Sequence, residues 1–106
     1  MDNSNCTITK RSEAPEVKLE VAGYIAYDTA GYFEKVIMES FQDDPEIIAV
    51  DMEKVTIFTS IGIRVILKAY KKAKEKGLVF KIENPSEIVR NVLQISNLTD
   101  MLLSSS

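Results

Sequence analysis

Along residues 17–22, VKLEVA, apolar Val17, Leu19 and Val21 alternate with Lys18 and Glu20, the period of a strand with one buried face. The preceding CTITK supplies a hairpin partner. After Asp28 the period changes: Phe33, Val36, Ile37 and Phe41 recur at helical spacing in TAGYFEKVIMESF, with Asp28 placed to cap the helix and Gly31 in its first turns. Asp43-Asp44-Pro45 breaks that helix. Residues 46–52, EIIAVDM, are apolar almost throughout and predict a central parallel strand with helices over both faces of its sheet.

A short VTIF segment follows. Ile63, Ile66, Leu67, Tyr70 and Ala73 then form an apolar helical stripe from Ser60 to Lys76, with Gly77 just beyond its end. LVFKIE, residues 78–83, reads as another apolar strand. Asn84 as N-cap, Pro85 at the first helical position and Glu87 completing a capping box predict the next helix. Its buried face is Ile88, Val89, Val92 and Leu93, and Asn97 suits the left-handed residue that ends it. TDMLL adds a short turn before a serine tail.

Two strands, helix, strand, helix, strand, helix is an α/β order, which predicts a mixed sheet of about four to five strands, right-handed crossovers and about four flanking helices. No linker or repeat divides the chain, so residues 1–106 form one domain, with flexible ends over residues 1–5 and 103–106. Hydrophobic residues at 45% and charged residues at 27% fit a folded globular chain.

Charge and composition narrow the function. A net charge of −3 offers no general attraction for nucleic acid or anionic lipid. Cys6 is the only cysteine, which excludes an intrachain disulfide and a thiol cluster for metal and suits a reducing compartment. The absence of histidine removes the commonest general base and metal ligand together. No apolar run reaches the roughly 18–20 residues of a membrane span, and MDNSNCTITKRSE lacks the apolar segment of a secretory signal, so a cytoplasmic protein without direct membrane insertion is expected.

The step Thr59-Ser60 stands where a strand hands over to a helix, and in open α/β sheets the functional crevice lies outside the carboxyl ends of the strands. At an N-cap, Ser60 would accept a backbone N–H and stabilise the helix by about 1 kcal/mol. A cap alone does not explain Ile61, Gly62 and Ile63, an apolar first turn with a glycine that helix propensity disfavours. Such a start suits close approach of a partner's backbone, or packing of the helix on its sheet.

Val50-Asp-Met-Glu-Lys-Val-Thr-Ile-Phe-Thr-Ser-Ile-Gly-Ile-Arg-Val-Ile-Leu67 resembles the central motif of the STAS family, the sulfate transporter and anti-sigma factor antagonist domains, where a strand ending in Asp-Leu leads to Asp-Ser-Ser-Gly at the head of a helix. The resemblance continues through the Lys-rich helix, Gly77, LVFKIENPS and VRNVLQISNL, with Gly23 as an upstream anchor. It implies a STAS-like fold and, for the bacterial anti-sigma factor antagonists, a non-enzymatic role in transcription regulation. By that resemblance Ser60 is the residue phosphorylated by an anti-sigma factor that is itself a serine kinase with bound ATP. The unmodified form binds that kinase and releases a sigma factor. Thr59 stands where the family has aspartate and Ile61 where it has a second serine, which makes Thr59 a rival acceptor.

A phosphate brings about −1.5 to −2 charge to a helix start that favours an anion, whereas a partner packed over it would have to desolvate a dianion. The partner surface expected from these considerations is Thr59, Ser60, Ile61, Gly62, Ile63, Arg64 and Lys68, with Arg64 and Lys68 facing acidic groups. Lysines from Lys71 to Lys76 complement the helix C-terminus instead. The free chain is expected to be a monomer without metal or cofactor. A hydrolase reading lacks both G-x-S-x-G and a histidine and is rejected; nucleotide binding, which the STAS resemblance allows, stays open although the chain has no P-loop. The alternative is a non-switching STAS subunit, a scaffold in a stress-signalling assembly or a cytosolic partner of a membrane transporter.

Overall fold

The structure, a computed structural model, describes residues 5–103. Its elements in chain order are β1 (Cys6–Glu13), β2 (Glu16–Ile25), α1 (Ala30–Ser40), a 3-10 turn (Phe41–Asp43), β3 (Ile47–Phe58), α2 (Ser60–Lys76), β4 (Val79–Glu83), α3 (Glu87–Ile95) and α4 (Thr99–Leu102). The sheet has the order β1-β2-β3-β4. β1 pairs antiparallel with β2, while β2–β3 and β3–β4 are parallel, so β3 is the central parallel strand expected from its composition. Leu103 adds a single parallel bridge to Ile82 at the outer edge, and Asn5 accepts a backbone hydrogen bond from Tyr24 at 2.7 Å. The rest of the ends expected to be flexible, and the serine tail, lie outside the described residues.

Alternation sorts the sheet into two unlike faces. Val17, Leu19, Val21, Ile48, Val50, Phe80 and Ile82 are buried and join Phe33, Ile37, Val65, Ile66, Val89 and Leu93 from the helices in one core. The alternating positions carry ion pairs, Arg11–Glu20 at 3.6 Å, Lys18–Glu83 at 3.6 Å and Lys81–Glu83 at 3.4 Å. Helices therefore do not cover both faces as the apolar run of β3 suggested. Ala49, on the polar face, lies in register between Lys18 and Lys81, whose aliphatic stems shield so small a side chain without a helix.

β3 is also longer than expected, because VTIF continues it to Phe58 instead of standing apart. Its register against β2 slips between Glu20 and Ala22 and again between Gly23 and Tyr24, each slip adding a residue on β3. Beside the first slip, Asp51 Oδ1 accepts from Glu53 N at 3.1 Å.

Both expected helix caps move. At α1 the cap position belongs to Thr29, not Asp28, and the Thr29 hydroxyl builds the preceding turn: it accepts from Ala26 N at 2.9 Å and donates to the Tyr24 carbonyl at 2.8 Å. At α3 the cap is Ser86, whose Oγ accepts from Val89 N at 3.4 Å. Asn84 adopts a left-handed conformation and donates to Asp51 Oδ2 at 3.0 Å, tying the end of β4 to β3. On α3, Val89 and Leu93 are buried and Val92 packs partly buried against the core, whereas Ile88 is exposed. Gly77 and Asn97 are left-handed just past α2 and α3, as their positions predict.

The buried stripe of α2 is Gly62, Val65, Ile66, Ala69 and Ala73, so the expected face is rotated: Leu67 is 37% exposed, and Ile63 and Tyr70 are only half-buried. Small residues let this helix lie close to the sheet, and the bulkier ones are left at its flanks.

Candidate functional site

The site forms where β2 and β3 end side by side. Thr59 leaves β3 in an extended conformation, and both its backbone N–H and its hydroxyl donate to the Ile25 carbonyl, at 3.1 and 3.3 Å. Its side chain is thus turned inward and does not cap α2. Ser60 is the first helical residue instead of the N-cap, so the expected capping bond is absent. Among the described residues its exposed hydroxyl makes no hydrogen bond.

The first backbone bond into the helix runs from Ile63 N to Thr59 O at 3.2 Å. The amides of Ser60, Ile61 and Gly62 therefore have no helical acceptor, and the positive end of the helix dipole coincides with the free hydroxyl. Ile61 and Ile63 are half-buried and pack against the core. Gly62 is buried, facing the Phe58 and Ile25 side chains, so it leaves the expected partner surface. Its lack of a side chain seats the helix start on the sheet.

Arg64 and Lys68 are both exposed, but they differ in engagement. Lys68 Nζ pairs with Glu34 Oε2 at 2.6 Å and links α2 to α1. Arg64 makes no ion pair among the described residues. Lys68 also stands about two turns from Ser60, whereas Arg64 stands about one turn away.

Three exposed side chains that the sequence reading passed over adjoin this end of the sheet. Tyr24 and Ile57 are register partners on β2 and β3, 43% and 40% exposed, and Tyr27 in the following turn is 87% exposed. The signal was present in Gly23-Tyr-Ile-Ala-Tyr27: alternation carried past Ala22 places Ile25 inward and Tyr24 outward. Ile25 and Phe58 face α2, so Tyr24 and Ile57 project from the opposite side of the same sheet end, and the free hydroxyl with its unpaired amides is the part of this end suited to modification.

Other chemistry has less to stand on. Cys6 is buried, and burial pushes its thiol up, away from the nucleophilic thiolate. Among the described residues no group of three or more His, Cys, Asp or Glu side chains is placed to hold a metal ion, and no helix is long and apolar enough to cross a membrane.

A STAS domain family model matches residues 7–105. The chain belongs to the STAS family. The STAS fold recurs in an anti-sigma factor antagonist from Mycobacterium paratuberculosis, 18% identical with a TM-score of 0.80, the match covering 100% of this chain and 92% of that one. It recurs in the anti-sigma factor antagonist SpoIIAA in its unphosphorylated form, 19% identical, TM-score 0.79, covering 94% and 89% of the two chains. The phosphorylated form of SpoIIAA, described as a Bacillus cell fate determinant, matches at 18% identity and TM-score 0.73, with 94% and 92% covered. No curated protein matches the chain. At these identities the likeness establishes that this STAS domain shares their fold.

Proposed function

We propose that this STAS domain is an anti-sigma factor antagonist that works as a phosphorylation-controlled partner switch in the bacterial cytoplasm. The observation that carries the reading is the free Ser60 hydroxyl at the start of α2, beside a Thr59 hydroxyl already engaged by Ile25. The partner is an anti-sigma factor kinase with bound ATP. It transfers the γ-phosphoryl group to Ser60 Oγ, the hydroxyl proton leaves, and ADP is released. A structural relative whose phosphorylated and unphosphorylated forms are both known supports the switch.

The unmodified surface of Ser60, Ile61, Ile63 and Arg64 binds the anti-sigma factor and frees its sigma factor. A few residues around a desolvated centre carry most of the energy at such contacts. Phosphorylation places a dianion in that centre, which the helix start accommodates and an apposed protein surface does not.

The test combines modification and affinity. Incubation with the cognate kinase and ATP should add one phosphate, mapped to Ser60 by mass spectrometry. In calorimetry Ser60→Ala should bind like the wild type and Ser60→Asp at least about tenfold more weakly, a loss of about 1.4 kcal/mol or more. Unfolding of Ser60→Asp should stay within about 1 kcal/mol of wild type, because an anion suits that position. Phosphate confined to Thr59 would overturn the assignment. Equal binding by all forms would favour the non-switching STAS subunit, scaffold or transporter partner.

A further inference from the structure

We infer that Arg64 is an intramolecular clamp for a phosphate on Ser60, and that this pairing withdraws a cation from the partner surface at the moment the dianion appears. The inference rests on Ser60 being the modified residue. It adds a second role for Arg64 to that of a partner contact in the unmodified state.

Residues four apart on a helix are surface neighbours, and each side chain tilts toward the helix N-terminus. Arg64 therefore leans over the turn that carries Ser60. The same tilt would carry Lys68 toward Arg64, but its ammonium is held by Glu34 at 2.6 Å. Arg64 is exposed and makes no ion pair among the described residues, so nothing must be broken for it to turn.

The surrounding charges leave this pair undisturbed. Glu34 on α1 is occupied by Lys68, and Asp28 in the turn before α1 accepts from Asn5 Nδ2 at 3.4 Å. Guanidinium offers a planar fork that meets two phosphate oxygens at once, which an ammonium does not. The amides of Ser60, Ile61 and Gly62 supply donors from the helix side. One modification then reverses the sign of the patch, and the partner loses an attractive cation and meets a repulsive anion together.

The experiment installs phosphoserine at residue 60 during protein synthesis, so no kinase is needed, and follows the phosphate by phosphorus NMR through pH 5–8. A nearby cation favours the dianion and lowers the second phosphate pKa. Arg64→Gln should raise that pKa by about 0.2–0.4 unit relative to the wild type, while Lys68→Gln leaves it in place. An unchanged pKa in Arg64→Gln overturns the clamp, as does an equal rise in Lys68→Gln, which would indicate a diffuse field. The kinase assay separates the two readings: modification of Ser60 with an unshifted pKa removes the clamp alone, and a shifted pKa without modification removes the switch alone.

Discussion

A Cβ on Gly62 would lie 2.6 Å from Cε1 of Phe58 and 2.8 Å from Cγ2 of Ile25, both side chains themselves buried. The glycine thus holds the start of α2 against the ends of β2 and β3. Gly62→Ala gains about 1 kcal/mol of helix propensity but crowds a packed core, at a cost of about 1–3 kcal/mol. We expect a net loss of stability, read as a lower urea midpoint with an unchanged m-value. A more stable Gly62→Ala protein would mean that the helix start stands off from the sheet.

Thr29 organises the neighbouring turn from a fully buried position. Thr29→Val keeps the shape and deletes the hydroxyl, leaving the Ala26 amide and the Tyr24 carbonyl without that partner. A loss of about 1–3 kcal/mol should follow, most of it restored by Thr29→Ser. Denaturant unfolding of both variants decides the matter. Equal destabilisation by serine and valine would point to packing of the methyl group instead.

At the far end of the sheet, Lys10 Nζ pairs with Asp43 Oδ2 at 2.7 Å, and Ser12 Oγ donates to the same oxygen at 3.3 Å. The hydrogen bond from Lys10 is the main cause that holds the Asp43 carboxyl below its ordinary range; desolvation, the next in size, opposes it, and the Lys10 charge and the Ser12 hydrogen bond add to the lowering. A depressed carboxyl pKa contributes stability above the unfolded-state pKa, and this is lost as pH falls through the folded-state value. Lys10→Met should move the Asp43 titration upward in carboxyl NMR and flatten the acid side of the stability profile. An unmoved titration would show that the pair does not persist in solution.

Much of the chain's local order was legible without a structure. Val17, Leu19 and Val21 mark β2 because a strand alternates with period two, and Gly77 and Asn97 mark helix ends because few residues tolerate left-handed backbone. The caps were less legible. Asp28 and Thr29, or Asn84 and Ser86, are all short polar side chains able to bond nearby amides, and the preceding turn selects between them. The face of α2 was misjudged by bulk: Leu67 and Tyr70 are large, but Gly62 and Ala69 permit the close approach that defines the buried side.

By itself the sequence determined the order of elements, the family motif and the position of Ser60 at a strand-to-helix step, because each rests on periodicity or spacing within a few residues. Only the tertiary structure decided what that position can do. The bonds from Thr59 to Ile25 and from Lys68 to Glu34 each join residues 34 apart in the chain. Tyr24 meets Ile57 only through sheet register. Such contacts depend on how whole elements pack, so the free Ser60 hydroxyl, the unengaged Arg64 and the exposed pair Tyr24 and Ile57 become visible only once β2, β3 and α2 are placed together.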